Sequence, residues 1–132
     1  MGESMKIAAL IARVLLGLVF VVFGSNGIHP FIPTGEMPTG PAGQFIAAMM
    51  QSHYSLIVAI IQVIGGALLL ANRYLTLGLV LLGPVIVNIF LFHALMEPKG
   101  LPLAIVVVLL WFVLAYHARR NLAGIFAANI ES

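Results

Sequence analysis

Three histidines and one asparagine are the residues of this sequence best suited to proton or hydrogen-bond chemistry. They are His29, His53, His93 and Asn88, and they fall toward one common side when the apolar segments are threaded in alternate directions. An imidazole exchanges a proton near neutral pH, and imidazole and amide groups hydrogen-bond carbonyl oxygens such as those of a quinone ring. The pattern predicts that these residues bind a cofactor, for which quinone is the candidate. The alternative is that they are interfacial residues without a ligand.

Asn88 and His93 belong to one apolar segment, VLLGPVIVNIFLFHALMEPKG, but not to one helix face. Their offset of five residues separates them by about 140° around an ideal helix. Paired metal ligands on a helix lie at offsets of three or four, so no metal site is predicted. The spacing favours two separate roles, a hydrogen bond to a neighbouring helix for Asn88 and a ligand or proton site for His93. Pro84 cannot donate to the carbonyl of Val80, which predicts a kink.

Arg13 lies inside the first apolar segment and shares a helix face with Gly17, Phe20 and Gly24. That face is predicted to point toward the other helices. A charge at mid-membrane costs about 3 kcal/mol on insertion scales, but Arg13 is near enough to one boundary to reach the interface. A structural contact between helices is the favoured role, and a contact with substrate or a lipid head group is the alternative.

Gln62 lies in the middle of the second apolar segment, on one face with Gly65, Gly66 and Leu69. Small residues let helix backbones approach closely, and an amide in hydrocarbon needs a hydrogen-bond partner. Helix packing with an interhelical bond is therefore the favoured role of Gln62. The alternative is that its amide binds the head group of a ligand.

The composition of the chain is typical of membrane proteins, and it predicts the helices that position these residues. Of 132 residues, 62% are hydrophobic and 8% are charged, and the mean hydropathy is +1.15. Crossing a bilayer core takes about 20 apolar helical residues, and four segments come close, at about 7–24, 54–72, 75–96 and 102–118. Because backbone polar groups in hydrocarbon must be satisfied internally, an all-α polytopic membrane protein is predicted, a four-transmembrane-helix bundle forming one domain over 1–132.

The connections and charges complete this prediction. The long loop 25–53 is rich in proline and glycine, and from Pro41 onward it predicts a short interfacial helix. The net charge of +2 comes from scattered residues, which excludes a basic nucleic-acid surface, so the lipid bilayer is the expected partner. The chain has no cysteine, which excludes disulfide and thiolate chemistry within it.

The Lys and Arg residues predict an orientation. With four spans, one side of the membrane holds five of them and the other holds only Lys99; the five are Lys6, Arg13, Arg73, Arg119 and Arg120. The positive-inside rule then places both termini in the cytoplasm and the loop 25–53 outside. The alternative is that the first segment is a signal peptide, although an Ala-x-Ala type of cleavage site is missing.

Three stretches resemble the DoxX family: ARVLLGLVFVVFGSNGI, QVIGGALLLANRYLTLG and GPVIVNIFLFHALM. The resemblance covers about residues 8–126 and implies a four-span protein of the bacterial or archaeal cell (inner) membrane, similar to the small subunit of a thiosulfate:quinone oxidoreductase. The chain departs from the family at two positions. Many members have lysine where Gly27 lies and glutamate where Gln62 lies, so a charge pair that those relatives could form is absent.

Three functions stay open at this point. The favoured one is an accessory or scaffold subunit of a membrane complex, which could be a redox complex, with other membrane subunits or further copies of the chain as partners. The second is a component of a quinone-linked oxidoreductase that uses the outer histidines and Asn88. The third is a small transporter or lipid-binding protein. No nucleotide loop, nucleophile elbow or zinc helix appears in the sequence, so catalytic residues are not assigned.

Overall fold

The computed structural model describes residues 2–33 and 35–130, and every regular element in this part of the chain is helical. The elements in chain order are α1 (Gly2–Ile28), α2 (Gly40–Gln51), α3 (Tyr54–Ala71), α4 (Leu75–Leu95), α5 (Leu101–His117) and the short α6 (Arg119–Leu122), with 3₁₀ helices at Pro98–Gly100 and Ala123–Phe126. The predicted all-α class is therefore confirmed.

Four helices are long and apolar enough to cross a membrane: α1, α3, α4 and the stretch Pro98–His117 that contains α5. The bounds of α3, α4 and α5 lie within one residue of the predicted segments. By contrast, α1 extends beyond 7–24 at both ends, because hydropathy marks only the part of a helix that suits hydrocarbon. The four helices indicate a multi-pass membrane protein.

The closest contact between helices joins α1 to α3 through small residues. A Cβ atom on Gly66 would lie 2.8 Å from the carbonyl oxygen of Gly17, and one on Gly24 would lie 3.0 Å from the carbonyl oxygen of Ala59. Glycine is needed at these positions because any side chain would push the two backbones apart. The face predicted from Gly17, Phe20 and Gly24 points inward as expected, since all three residues are buried.

The contact between α3 and α4 also depends on glycine. A Cβ atom on Gly65 would lie 2.7 Å from Cγ of Leu82, and one on Gly78 would lie 3.1 Å from the carbonyl oxygen of Gly65. Gly65 therefore faces α4 while the adjacent Gly66 faces α1. The glycine pair places α3 between two neighbours, and α5 contacts both α1 and α4 on the far side.

The core between the long helices is apolar. Its largest fully buried side chains are Leu16, Phe20, Leu69, Leu79, Leu82 and Leu114. Within the described residues no polar or charged residue is fully buried. Trp111 packs against this core, and its indole Nε1 donates a hydrogen bond of 3.0 Å to the carbonyl oxygen of Leu79, which connects α5 to α4.

Arg13 connects α1 to the end of α3. Its guanidinium donates hydrogen bonds of 2.7 Å to the carbonyl oxygen of Leu69 and 3.0 Å to that of Leu70. Carbonyls in the last turn of a helix lack partners within the helix and carry the negative end of its dipole. After them the chain turns sharply through left-handed Asn72 and Tyr74, at φ of 54° and 55°. The contact of Arg13 is thus of the structural kind that the sequence favours.

Candidate functional site

A groove of about 790 Å³ lies between α3 and α4, with α2 at one end, which we call the outer end of the groove. It is open at the molecular surface, because Pro84 and Asn88 are both exposed while they line it. Both residues belong to α4, one of the four helices long and apolar enough to cross a membrane, and in such a membrane the groove would open toward lipid. Most of its wall is apolar, and the apolar side chains include Phe45, Ile46, Met49, Val58, Ile61, Val80, Leu81, Val85, Ile89 and Phe92.

Five side chains with polar groups interrupt this apolar wall: Ser52, Tyr54, Gln62, Asn88 and His93. An apolar pocket with a few polar groups is the usual form of a small-molecule site. Because α3 and α4 are joined by a tight turn, Gln62 lies near the middle of the helix pair, while His93 and Ser52 lie at the end near α2. The polar groups therefore extend from the middle of the helices to the outer end of the groove.

Gln62 lies near the middle of α3. It lies about 12 Å along α3 from Tyr54, by the helical rise. In the part of the chain that the structure describes, the side chain of Gln62 makes no hydrogen bond. The predicted interhelical bond of Gln62 is therefore not formed. Its carboxamide faces the groove with both donor and acceptor capacity available.

Asn88 makes a hydrogen bond within its own helix. Its amide Nδ2 donates to the carbonyl oxygen of Pro84 at 2.8 Å. The prediction that Asn88 bonds to a neighbouring helix is therefore wrong. Asn88 is exposed on the groove side of α4, and the carbonyl of Pro84 one turn earlier lies within reach of its amide. The amide oxygen stays available to the groove, and α4 continues through Pro84 without interruption.

His93 is held at the outer end of the groove. Its ring meets Phe92 edge-on at 5.1 Å between centroids, and it fills the space beside Gly100, where a Cβ atom would overlap the imidazole. Ring atom Nδ1 lies 3.0 Å from the carbonyl oxygen of Glu97. Since a carbonyl oxygen can only accept, Nδ1 carries the proton, and Nε2 of the neutral ring is an acceptor.

The structure brings Asn88 and His93 to one groove, contrary to the prediction of two separate places. Asn88 and His93 are separated by about 140° around an ideal helix. They still line one groove, because α2 contributes to its wall together with α3 and α4. Helix α2 packs against α3 and reaches the end of α4 through Phe45, whose ring lies 5.6 Å from that of Phe92 between centroids. The groove therefore extends around α4 far enough to include both residues.

His29 and His53 are exposed and do not line the groove. The backbone N–H of His29 donates to the carbonyl of Ser25 at the end of α1, and His53 adopts a left-handed conformation with φ of 63° between α2 and α3. In the part of the chain that the structure describes, no three His, Asp or Glu side chains lie close enough to hold a metal ion. Of the four predicted cofactor residues, the groove contains Asn88 and His93.

Sequence reasoning missed Ser52 and the contribution of α2. Ser52 Oγ donates to the carbonyl of Met49 and accepts from the backbone N–H of Tyr54, each at 3.3 Å. The one available signal was the predicted helix after Pro41, whose apolar residues Phe45 and Met49 now line the groove. That helix could not be placed against α4 from its sequence.

A second, smaller hollow of about 280 Å³ lies between α4 and α5, on the surface formed by Gly83, Phe90 and Trp111. Its lining is apolar and offers no group that could orient a polar ligand. Comparison with known proteins adds no functional information, since no protein-family model, curated protein or solved structure matches this chain.

Proposed function

We propose that this chain is a membrane subunit that binds a quinone in the groove between α3 and α4. The observation that carries the proposal is the carboxamide of Gln62, which faces an apolar groove at mid-membrane without a hydrogen-bond partner among the described residues. An unpartnered amide in hydrocarbon costs about 1–3 kcal/mol, so a site that retains one has a use for it. A quinone carbonyl would accept its N–H.

The groove suits the other parts of a quinone as well. A ring with carbonyl oxygens on opposite edges needs polar partners at two levels, and Gln62 and Asn88 differ in depth along α3 and α4. The surrounding aliphatic and aromatic side chains suit the faces of the ring. An isoprenoid tail can leave the groove past exposed Pro84 into the lipid.

The role we propose is accessory, within a larger membrane complex. The chain has no cysteine, so thiol oxidation cannot supply electrons from its own residues. A redox partner subunit would supply them, while this chain holds the quinone and provides helix surfaces for assembly. This reading agrees with the resemblance to the DoxX family and to the small subunit of thiosulfate:quinone oxidoreductases, and we propose membership of that family on the stretches quoted above.

We further propose how the helices lie in the membrane. The four spans form a bundle, α2 lies in the outer interface over the groove, and both termini face the cytoplasm of a prokaryotic cell. Support comes from Arg13, which connects the first half of α1 to the end of α3, and from the positive residues on that side. Partly apolar α2, with Met50 and Phe45 exposed, suits an interface between water and lipid.

Quinone binding tests the proposed function directly. Purified protein in mild detergent is titrated with decylubiquinone, and bound ligand is counted by native mass spectrometry. We expect one molecule per chain, and about tenfold weaker binding for Gln62→Leu, because a hydrogen bond at mid-membrane is lost. The matched control is Gln51→Leu, an exposed glutamine that does not line the groove. Absence of binding, or equal affinity of Gln62→Leu and wild type, would contradict the proposal.

A further inference from the structure

Residues 118–130, which follow the last long apolar helix, carry apolar side chains that the helix bundle leaves uncovered. We call these residues the surface segment, and they contain α6 and the 3₁₀ helix Ala123–Phe126. The exposed fraction is 60% for Ile125, 86% for Phe126 and 99% for Ile130. Large apolar side chains that are exposed together mark a contact with another protein or with a membrane. The position and the charges of the segment decide between these two.

The surface segment begins where α5 would leave the hydrocarbon. The stretch Pro98–His117 is long and apolar enough to cross a membrane, and the segment starts at the next residue. Leu122 packs against the buried core of the long helices, so α6 stays beside the bundle. Ile125 and Phe126 follow Leu122 within about 8 Å at the rise of a 3₁₀ helix. The head-group region is about 5–8 Å thick on each side of the hydrocarbon, so both side chains lie within reach of it.

Positive charges and an aromatic ring accompany these apolar side chains. Tyr116, in the last turn of α5, is 56% exposed, as is usual for tyrosine at a membrane interface. The guanidinium of Arg119 lies 4.2 Å from the centre of that ring and donates a hydrogen bond of 2.8 Å to the carbonyl oxygen of Tyr116. Arg119 is therefore held at the end of the span, and exposed Arg120 adds a second positive charge beside it. This combination suits a surface where negative charge lies above hydrocarbon.

We infer that the surface segment lies on the bilayer next to the end of α5. Ile125 and Phe126 enter the boundary between head groups and acyl chains, and Arg119 and Arg120 bind the phosphates of anionic lipids. A second copy of the chain on the same symmetric surface would bring its own arginines against these, and like charges repel. The inference is independent of the groove and its ligand, and it applies to either orientation of the chain.

Quenchers attached to lipid locate the surface segment directly. Because the chain has no cysteine, Ile125→Cys accepts a single nitrobenzoxadiazole probe. The labelled protein is reconstituted at high dilution in vesicles of phosphatidylcholine and phosphatidylglycerol, with and without brominated acyl chains. We expect bromine to quench this probe several times more strongly than a probe at Glu3→Cys, an exposed position near the start of α1. A probe at Phe112→Cys, exposed on α5, is the reference for full contact with lipid.

The binding of anionic head groups is measured separately by native mass spectrometry. The protein is equilibrated in mild detergent with equal amounts of the two phospholipids, and the bound ratio of phosphatidylglycerol to phosphatidylcholine is determined. One cation near an anionic surface contributes about a factor of five, so Arg120→Gln should lower that ratio about fivefold. The matched control is Lys99→Gln, which removes an exposed cation before α5 and should lower the ratio less.

The outcomes separate the two parts of the inference. If bromine quenches the probe at Ile125 as weakly as the one at Glu3, the segment does not lie on the bilayer and the inference is overturned. It is also overturned if the probe is shielded only when the protein is concentrated in the vesicles, because a second copy then covers the segment. If quenching is strong but Arg120→Gln and Lys99→Gln lower the lipid ratio equally, the apolar contact stands and the role of the arginines is wrong.

Discussion

Backbone carbonyls are the hydrogen-bond partners of several polar side chains within the long apolar helices. Arg13 bonds the carbonyls at the end of α3, Trp111 bonds Leu79, and Asn88 bonds Pro84. A carbonyl in hydrocarbon has a second lone pair beyond its helical bond, so a side-chain donor can use it without breaking the helix. Gln62 differs from these three residues because its side chain bonds no such carbonyl among the described residues, and the proposal that it binds a ligand rests on this difference.

Arg13 should contribute strongly to stability. In Arg13→Gln the carbonyls of Leu69 and Leu70 lose a charged donor at the negative end of the α3 dipole. We expect the free energy of unfolding, measured by titrating detergent-solubilised protein with sodium dodecyl sulfate, to fall by about 1–3 kcal/mol. Arg120→Gln removes an equally long, exposed cation and should change it by less than about 0.5 kcal/mol. If the free energy of unfolding fell equally in both variants, the loss of one positive charge would explain the effect of Arg13→Gln without its hydrogen bonds.

The sequence predicts single residues well where helical periodicity decides their environment. Gly17, Phe20 and Gly24 face inward because their spacing follows the helix repeat. Prediction fails where the partner belongs to another element. The separation of Asn88 from His93 follows from one helix considered alone, and only the position of α2 over α4 brings both to one groove. The missing partner of Gln62 depends on three helices together, which no local pattern contains.

At the scale of elements, the ends of α2 define how it covers the groove. It begins at Gly40, whose φ of 70° is left-handed, with Pro41 in the first turn, and it ends before left-handed His53. Pro41 predicts this start because a proline at the first helical positions loses no hydrogen bond. The turn at His53 was not predicted, since left-handed histidine is uncommon. It redirects the chain from α2 into α3 within two residues.

The packing of α1 against α3 should depend on single glycines. In Gly66→Ala the new methyl group would meet the carbonyl of Gly17 at 2.8 Å and the backbone nitrogen of Val21 at 2.9 Å, and neither atom can move without its helix. We expect the free energy of unfolding to fall by about 1–3 kcal/mol, by the same detergent titration. In the control Gly83→Ala, the methyl group meets only the Trp111 ring at 3.6 Å. That variant should be neutral or more stable, by up to about 1 kcal/mol from helix propensity.

The whole molecule has a charge asymmetry that follows its helix order. Arg13, in the first half of α1, touches the end of α3, so the N-terminal half of α1 and the turn between α3 and α4 lie on one side. Because α4 and α5 each cross again, the end of α5 returns to that side. Arg73 and Arg120 therefore belong to the same side as Lys6, and Lys99 belongs to the opposite one.

Cysteine labelling in intact cells tests the orientation, and the absence of native cysteine makes every single-cysteine variant unambiguous. We expect a membrane-impermeant maleimide to label Lys99→Cys and Gln44→Cys from outside, because the more positive side stays in the cytoplasm. Arg73→Cys and Arg120→Cys should react only after the membrane is permeabilised, and the unmodified chain, which should never react, is the control. The reverse pattern would place both termini outside. Labelling of Lys99→Cys together with Arg73→Cys in intact cells would mean that α4 does not cross, and the groove at Gln62 would then lie outside hydrocarbon.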